Sequence, residues 1–260
     1  MPDSTVKPAR RPSLNPLEHL FAKQRLEGVI TQTGSVTPTM KRIRIATDGL
    51  AGTTVPPGRH LRIQINDPLS LYGILRPGET LRTYSVWDQS DDGREVEIRA
   101  HIYDGDGIGL RWARDAQVGQ DVSFWGPLGD FDLRTDAPYH VFIGEETASA
   151  AFGPMIRALG PEARVYGALE SESREDEVPV PGPHVLRRAH REGASPVSSK
   201  VLLGAVSELD LPEGAGMAYV AGEARTCQAV RDHLVNVRKW PRTQIRTKPF
   251  WTPGKKGLHH

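Results

Sequence analysis

Leu81-Arg82-Thr83-Tyr84-Ser85-Val86-Trp87-Asp88 decides how this chain is read. Its alternation predicts a strand, with Leu81, Thr83, Ser85 and Trp87 on one face and Arg82, Tyr84 and Val86 on the other. An Arg and a Tyr two positions apart therefore share a face. The guanidinium can fork onto a phosphate, and the ring offers a flat apolar wall one pleat away. Ser85 adds a short hydroxyl. The set suits an anionic, planar, hydrogen-bonding cofactor such as a flavin dinucleotide. Alone, however, R-x-Y-S is common, and it then reads as a plain barrel strand with an exposed Arg. Its neighbours carry the decision.

Outward from it lie alternating segments at residues 28–34, 39–47, 59–66, 80–87, 95–102 and 121–125, separated by turn residues such as Pro56-Pro57-Gly58 and Asp91-Asp92-Gly93. Six short strands with period-two patterning predict a closed antiparallel barrel. Between the last two runs Asp104-Gly105-Asp106-Gly107-Ile108-Gly109, with a helix expected over 108–115. A Gly-rich lead into a helix presents unpaired N–H groups, which suit a diphosphate; the plainer reading is a flexible loop capping a helix. Upstream, residues 1–18 are polar and Pro-rich, and an amphipathic turn at 17–25 is expected to pack on the barrel.

The second half alternates differently. Expected elements are a strand at 139–144, a small-residue helix to about 159 kinked at Pro154, a strand at 163–169, a short helix at 185–191, strands at 200–203 and 216–221, a helix at 223–238 and a strand at 244–247. Strands alternating with helices predict an open parallel sheet whose ligands bind at the carboxyl ends of the strands. Two such ends match: Gly144-Glu145-Glu146-Thr147 and Ala221-Gly222-Glu223-Ala224. A strand-end Gly lets a nucleotide approach, although each end alone reads as an ordinary strand–helix turn with Glu near the helix start. In the last helix Cys227, Val230, Leu234 and Val237 recur at helical spacing and form its buried face, so Cys227 reads as core rather than nucleophile.

The chain has 260 residues, enough for two modest domains, and its 21 Pro and 26 Gly favour strands and turns over a helical bundle. A formal charge of +1 argues against a dedicated nucleic-acid binder. No apolar run reaches membrane-span length, so no membrane insertion is expected. One Cys excludes an internal disulfide and a Cys-ligated iron–sulfur cluster within the chain. Basic residues near the N-terminus lack an apolar run after them, so no signal peptide is expected, and the expected location is cytoplasmic.

In their order and spacing these pieces resemble the siderophore-interacting proteins, flavin-dependent ferric-siderophore reductases of the ferredoxin-reductase superfamily. The resemblance spans roughly residues 28–257. It is carried by Arg82-Thr83-Tyr84-Ser85, Ile108-Gly109-Leu110-Arg111-Trp112-Ala113, Gly126-Pro127-Leu128-Gly129, Gly144-Glu145-Glu146-Thr147-Ala148, His190-Arg191, Val220-Ala221-Gly222-Glu223-Ala224, and Phe250-Trp251 followed by Gly254. It implies an N-terminal extension (1–26), an FAD-binding antiparallel β-barrel (27–135) and an NAD(P)H-binding α/β open parallel sheet with a C-terminal tail (136–260). Arg82, with Thr83, would hold the FAD diphosphate. Tyr84 would pack on the flavin and Ser85 lie near its N5, the two forming the catalytic pair. Gly107, Gly109, Leu110, Arg111 and Trp112 would cradle the diphosphate. Glu146, Thr147, Ala148, Gly222 and Glu223 would face the nicotinamide nucleotide, with Arg174 the candidate for a 2′-phosphate. His101 and Trp251 complete the cofactor-binding set, Trp251 packing near the flavin. Two departures stand out: Trp87 occupies the place of a second family Arg, and Glu145 that of a family Asp.

The implied activity is that of an NAD(P)H- and FAD-dependent oxidoreductase that reduces an Fe(III) chelate and releases Fe(II). NADPH or NADH is the expected donor, with ferredoxin as the alternative. A basic rim drawn from Lys41, Arg59, His60, Arg62, Lys248, Lys255 and Lys256 would attract an anionic ferric siderophore. No protein metal ligands are expected, since the chelator carries the iron. The alternatives are a flavin-dependent oxidoreductase acting on a small organic substrate in a biosynthetic pathway and a non-enzymatic siderophore-binding protein.

Overall fold

The computed structural model describes residues 25–255. Residues 17–24 of the expected amphipathic turn and Lys256 lie outside the described residues. The 1–26 extension does too, apart from Arg25 and Leu26, which already pair in the first strand.

That strand, β1 (Arg25–Thr37), is followed by β2 (Met40–Ala46), β3 (His60–Gln64), β4 (Leu81–Gln89), β5 (Glu95–His101) and β6 (Asp121–Leu128). They close a barrel in the order β1-β2-β5-β4-β3-β6, every pairing antiparallel. Alternate residues supply the core: Ile43 and Ile45, Leu61 and Ile63, Val96 and Ile98, with Phe124, all wholly buried. A short helix, α1 (Leu71–Leu75), sits between β3 and β4, capped by Ser70, whose Oγ accepts from Gly73 N at 3.0 Å. Its Leu71, Ile74 and Leu75 are exposed. Between β5 and β6 runs α2 (Ile108–Asp115), at the expected position, burying Leu110 and Ala113.

The second lobe is a sheet of β7 (His140–Gly144), β8 (Val165–Ser171), β9 (Arg187–His190), β10 (Met217–Glu223) and β11 (Ile245–Trp251). Their order is β11-β10-β7-β8-β9, all parallel. The helices are α3 (Glu146–Leu159), α4 (Lys200–Ser207) and α5 (Ala224–Asn236). Pro154 lies inside α3.

Three expectations are corrected here. The helix expected over 185–191 is edge strand β9, where pairing of Ala168 with Arg187 and of Ser171 with His190 overrides the local helix preference. The strand expected over 200–203 begins α4. A short apolar run does not distinguish the two forms, and Ser199 decides by accepting from Leu202 N at 3.0 Å as an N-cap. Val237 is exposed rather than core, because α5 ends at Asn236 and Trp240 fills the space instead.

The lobes interlock at β4 and α3. Trp87 is 6% exposed, and a Cβ placed on Gly153 of α3 would lie 2.0 Å from its Cζ3. The Arg99 guanidinium stacks on the same ring, 3.2 Å from its centroid. Arg157 of α3 reaches Asp88 at 2.8 Å, and Thr39 of the barrel donates to Asp176 of the sheet lobe at 2.7 Å. Phe131, just after the barrel, packs into the sheet-lobe core beside Phe152, Tyr219 and Phe250.

Candidate active site

Arg82 and Tyr84 do share a face, as the alternation requires. Cross-strand pairing puts Arg82 opposite Ile63 and Tyr84 opposite Leu61, so both look towards the barrel interior beneath α2 rather than out from its wall. Arg82 lies against the first turn of α2: a Cβ on Gly109 would meet its Cγ at 2.6 Å and the Tyr84 hydroxyl at 3.0 Å. Only Gly lets these groups approach. Arg82 Nη1 donates to Gly78 O (2.9 Å) and Leu81 O (2.7 Å), which fixes the guanidinium beside the helix start. Burial lowers its pKa, with Tyr84 and Glu79 pushing the other way. The Tyr84 hydroxyl donates to Gly109 O at 2.7 Å and its ring meets Trp112 at 5.3 Å between centroids. Burial drives its pKa well up, so the phenol stays neutral. Tyr84 is thus a strut holding α2.

Gly107 caps α2 without any side-chain hydrogen bond, and Asp104, Gly105, Asp106, Gly107 and Arg111 are exposed. An uncapped helix start with a fixed guanidinium beside it is an anion seat. Leu110 is buried and Trp112 packs against the barrel core, so neither forms part of an open cradle. Thr83 and Ser85 lie on the outer face, opposite Arg62 and His60. His101 sits where the lobes meet. Burial lowers its pKa, with Glu146 and Asp176 opposing and Arg191 adding.

Three residues of the expected basic rim are engaged in structure. Lys41 Nζ donates to Arg114 O (2.9 Å) and Ala116 O (3.0 Å), closing the end of α2. Arg59 pairs with Asp132 and Lys248 with Asp130, each at 2.7 Å. Lys255 is exposed.

At the sheet, β7 and β10 lie side by side while their chains run to opposite edges, so their carboxyl ends form the topological switch point. The residues expected to face a nucleotide there are engaged with one another. Glu145 Oε2 accepts from Thr147 N at 2.7 Å, and its Oε1 accepts from the Thr147 hydroxyl and from Trp251 Nε1 at 3.0 Å. Burial, with Glu146 adding, pushes the Glu145 pKa up to about 6. Gly222 has φ +118°, and a Cβ there would strike Glu145 Oε1 at 2.6 Å. Its room is filled by this carboxylate. Gly144 is needed for packing against Ala148 and Phe152. Glu223 accepts from Arg225 N (3.0 Å), Thr226 N (2.8 Å) and Ser198 N (3.1 Å). Burial raises its pKa, but these N–H donors outweigh that and the net shift is downward.

Glu146 is also turned inward. Arg191 Nη1 and Nη2 fork onto it at 2.8 and 2.6 Å, and Arg191 further reaches Glu170 at 3.1 Å and Glu172 at 3.3 Å. Ala148 is wholly buried, and Arg174 is exposed. Arg191 lies in the His190-Arg191 pair of the family resemblance, which assigns it no role. The available signal was the basic run Arg187-Arg188-Ala189-His190-Arg191 following the acidic run at 170–177.

A closed six-stranded barrel followed by an open parallel sheet with a switch point is a ferredoxin-reductase-like fold. The comparisons narrow this. Residues 76–131 match the siderophore-interacting FAD-binding domain and residues 137–254 the siderophore-interacting protein model, so the chain belongs to the siderophore-interacting protein family. Among curated proteins it is 29% identical over 178 residues to the ferric vibriobactin reductase ViuB of Vibrio cholerae, covering 67% of this chain and 65% of that protein. Among solved structures, a siderophore utilization protein from T. fusca superposes with TM-score 0.78 at 23% identity, covering 91% of this chain and 96% of that one. The siderophore-interacting protein from Acinetobacter baumannii superposes with TM-score 0.75 at 20% identity, covering 89% and 92%.

Proposed function

We propose that this protein is an FAD-dependent ferric-siderophore reductase, its flavin reduced by NADH or NADPH, with ferredoxin as the other donor. The observation that carries the reading is the seat at α2: an uncapped N-terminus with Arg82 fixed beside it, inside the stretch that matches an FAD-binding family. These residues suit FAD. Arg82 and the N–H groups of the first turn would hold its diphosphate, and the open Gly105–Gly107 loop leaves space for it. When bound, FAD supplies two-electron uptake and one-electron release. Tyr84 holds the seat in place by bracing Gly109. Ser85, on the outer face of β4, is the group this face offers to a ring lying along it. Trp87 closed onto α3 keeps water from the seam between the lobes. The ferric chelate is substrate, and Fe(II) leaves it because lower charge weakens hard oxygen donors.

ViuB's name supports this substrate class by analogy. The test is an absorbance scan of the purified protein, then anaerobic reduction by dithionite and addition of a ferric catecholate or hydroxamate with an Fe(II)-specific chromophore present. The expected result is a yellow protein whose bleached flavin re-oxidises as Fe(II) accumulates. Reduced flavin that ignores every ferric chelate would exclude the reductase.

A further inference from the structure

We propose that the crevice at the carboxyl ends of β7 and β10 does not hold a dinucleotide by its diphosphate, and that a nicotinamide donor is engaged through its nicotinamide–ribose half alone. The inference rests on the reading that a flavin on the barrel lobe is reduced from the crevice. A dinucleotide in an open α/β sheet is ordinarily held by its diphosphate at a helix N-terminus beside a strand-end glycine. Each of those devices is present here and already taken by a carboxylate or hydroxyl of the chain itself.

At α3 the seat is filled by Glu145, which accepts from Thr147 N and from the Thr147 hydroxyl. At α5 it is filled by Glu223, which accepts from Arg225 N and Thr226 N. At α4 it is filled by Ser199, which accepts from Leu202 N and donates to Glu170. The space above Gly222 belongs to Glu145 Oε1. The buried cation at these strand ends, Arg191, faces Glu146, Glu170 and Glu172. A diphosphate entering here would meet carboxylates and find the N–H donors of Thr147, Arg225 and Thr226 spent. The contrast with α2, whose N-cap Gly107 offers no side-chain acceptor and whose neighbour is Arg82, lies within the same molecule.

The glutamates are not interchangeable with phosphate in one respect. Glu145 also accepts from Trp251 Nε1 at 3.0 Å, tying the end of β11 across the crevice. An indole held there offers a stacking surface for a planar ring, which is the half of the donor that remains to be recognised.

The test uses the FAD-loaded protein at pH 7.5. Calorimetric titration with ADP-ribose, which carries the diphosphate without the nicotinamide, is expected to give no saturable binding. Reduced nicotinamide mononucleotide and NADH are then compared by flavin bleaching, with no iron present. Each charge-assisted hydrogen bond to a seated diphosphate would contribute roughly tenfold or more, so a used seat predicts an NADH advantage of about 100-fold in kcat/KM, whereas less than about tenfold is expected here. Glu223→Gly vacates the start of α5 and is expected to create measurable ADP-ribose binding. If that variant fails to fold, the wild-type comparison still decides. Micromolar ADP-ribose binding by the wild type, or the 100-fold advantage, would overturn the proposal. If neither nucleotide bleaches the flavin, the ADP-ribose titration alone decides. Reductase activity is read separately with dithionite, so loss of one reading leaves the other standing.

Discussion

Gly153→Ala tests the joint between the lobes. In an exposed helix this change would stabilise by about 1 kcal/mol, since Gly is the poorer helix former. Here the new methyl would lie 2.0 Å from Trp87 Cζ3 and 2.1 Å from Cη2. Carbon atoms rest at about 3.5–4.0 Å, so the indole or the helix must give way by roughly 1.5 Å. The indole cannot retreat freely, because the Arg99 guanidinium stacks on it at 3.2 Å. Overpacking of this kind costs about 1–3 kcal/mol, which cancels the propensity gain and leaves a net loss of up to about 2 kcal/mol in the wild-type background. In a Trp87→Ala background the obstacle is gone, and the same change should stabilise by about 1 kcal/mol. Urea unfolding of the four proteins, followed by far-ultraviolet circular dichroism, would therefore show a coupling of about 1–3 kcal/mol. Equal effects of Gly153→Ala in both backgrounds, within about 0.5 kcal/mol, would refute the clash.

Arg82→Ala should weaken FAD binding by about 10–100-fold, the worth of a charge-assisted contact; unchanged occupancy on gel filtration would remove Arg82 from the seat. Arg191→Met leaves Glu146 and Glu170 buried without their cation and should cost about 3–5 kcal/mol in urea. Arg191→Lys should rescue little, because an ammonium does not fork. Glu145, with its pKa raised by burial to about 6, contributes stability that is full below its unfolded value and lost as pH rises through about 6. Glu145→Gln should therefore remove a decline of about 2 kcal/mol between pH 4.5 and 6.5, and a decline of opposite sign in the wild type would sink the assignment. Cys227 is buried and burial pushes its thiol up, so Ellman's reagent at pH 8 should label it only on unfolding; rapid labelling of native protein would contradict its place in the core.

The barrel was legible because each strand pairs one wet face with one dry one, and α2 because glycines lead directly into a helical run. The sheet was legible in class but not in every element. Arg187–His190 has no apolar alternation of its own and becomes a strand only because β8 offers an edge. Leu71–Leu75 is not legible as a helix, since five residues set between Pro68 and Pro77 carry too little period to register. At the site, spacing correctly put Arg82 and Tyr84 together but could not say which side of the wall they faced. It also could not tell a glutamate that caps its own helix from a helix start left open, because the residues around both look alike in one dimension. Glu145 and Glu223 are legible only once the donors they accept from are in view.

The strand order also sets a sequence of events for a chain made from its N-terminus. All six barrel strands exist once residue 128 has emerged, and β1 can meet β6 before any of β7 is made. The sheet has no such luxury. β7 is buried along its whole length, yet its partner β10 begins only at Met217, after β8, β9 and α4 have been synthesised. Throughout that interval His140–Gly144 presents one unpaired apolar edge, the kind of surface on which nascent chains stick to one another. A ribosome stalled between β9 and β10 would hold a finished barrel tethered to an adhesive half-sheet, and chaperone demand in this protein should fall on that window.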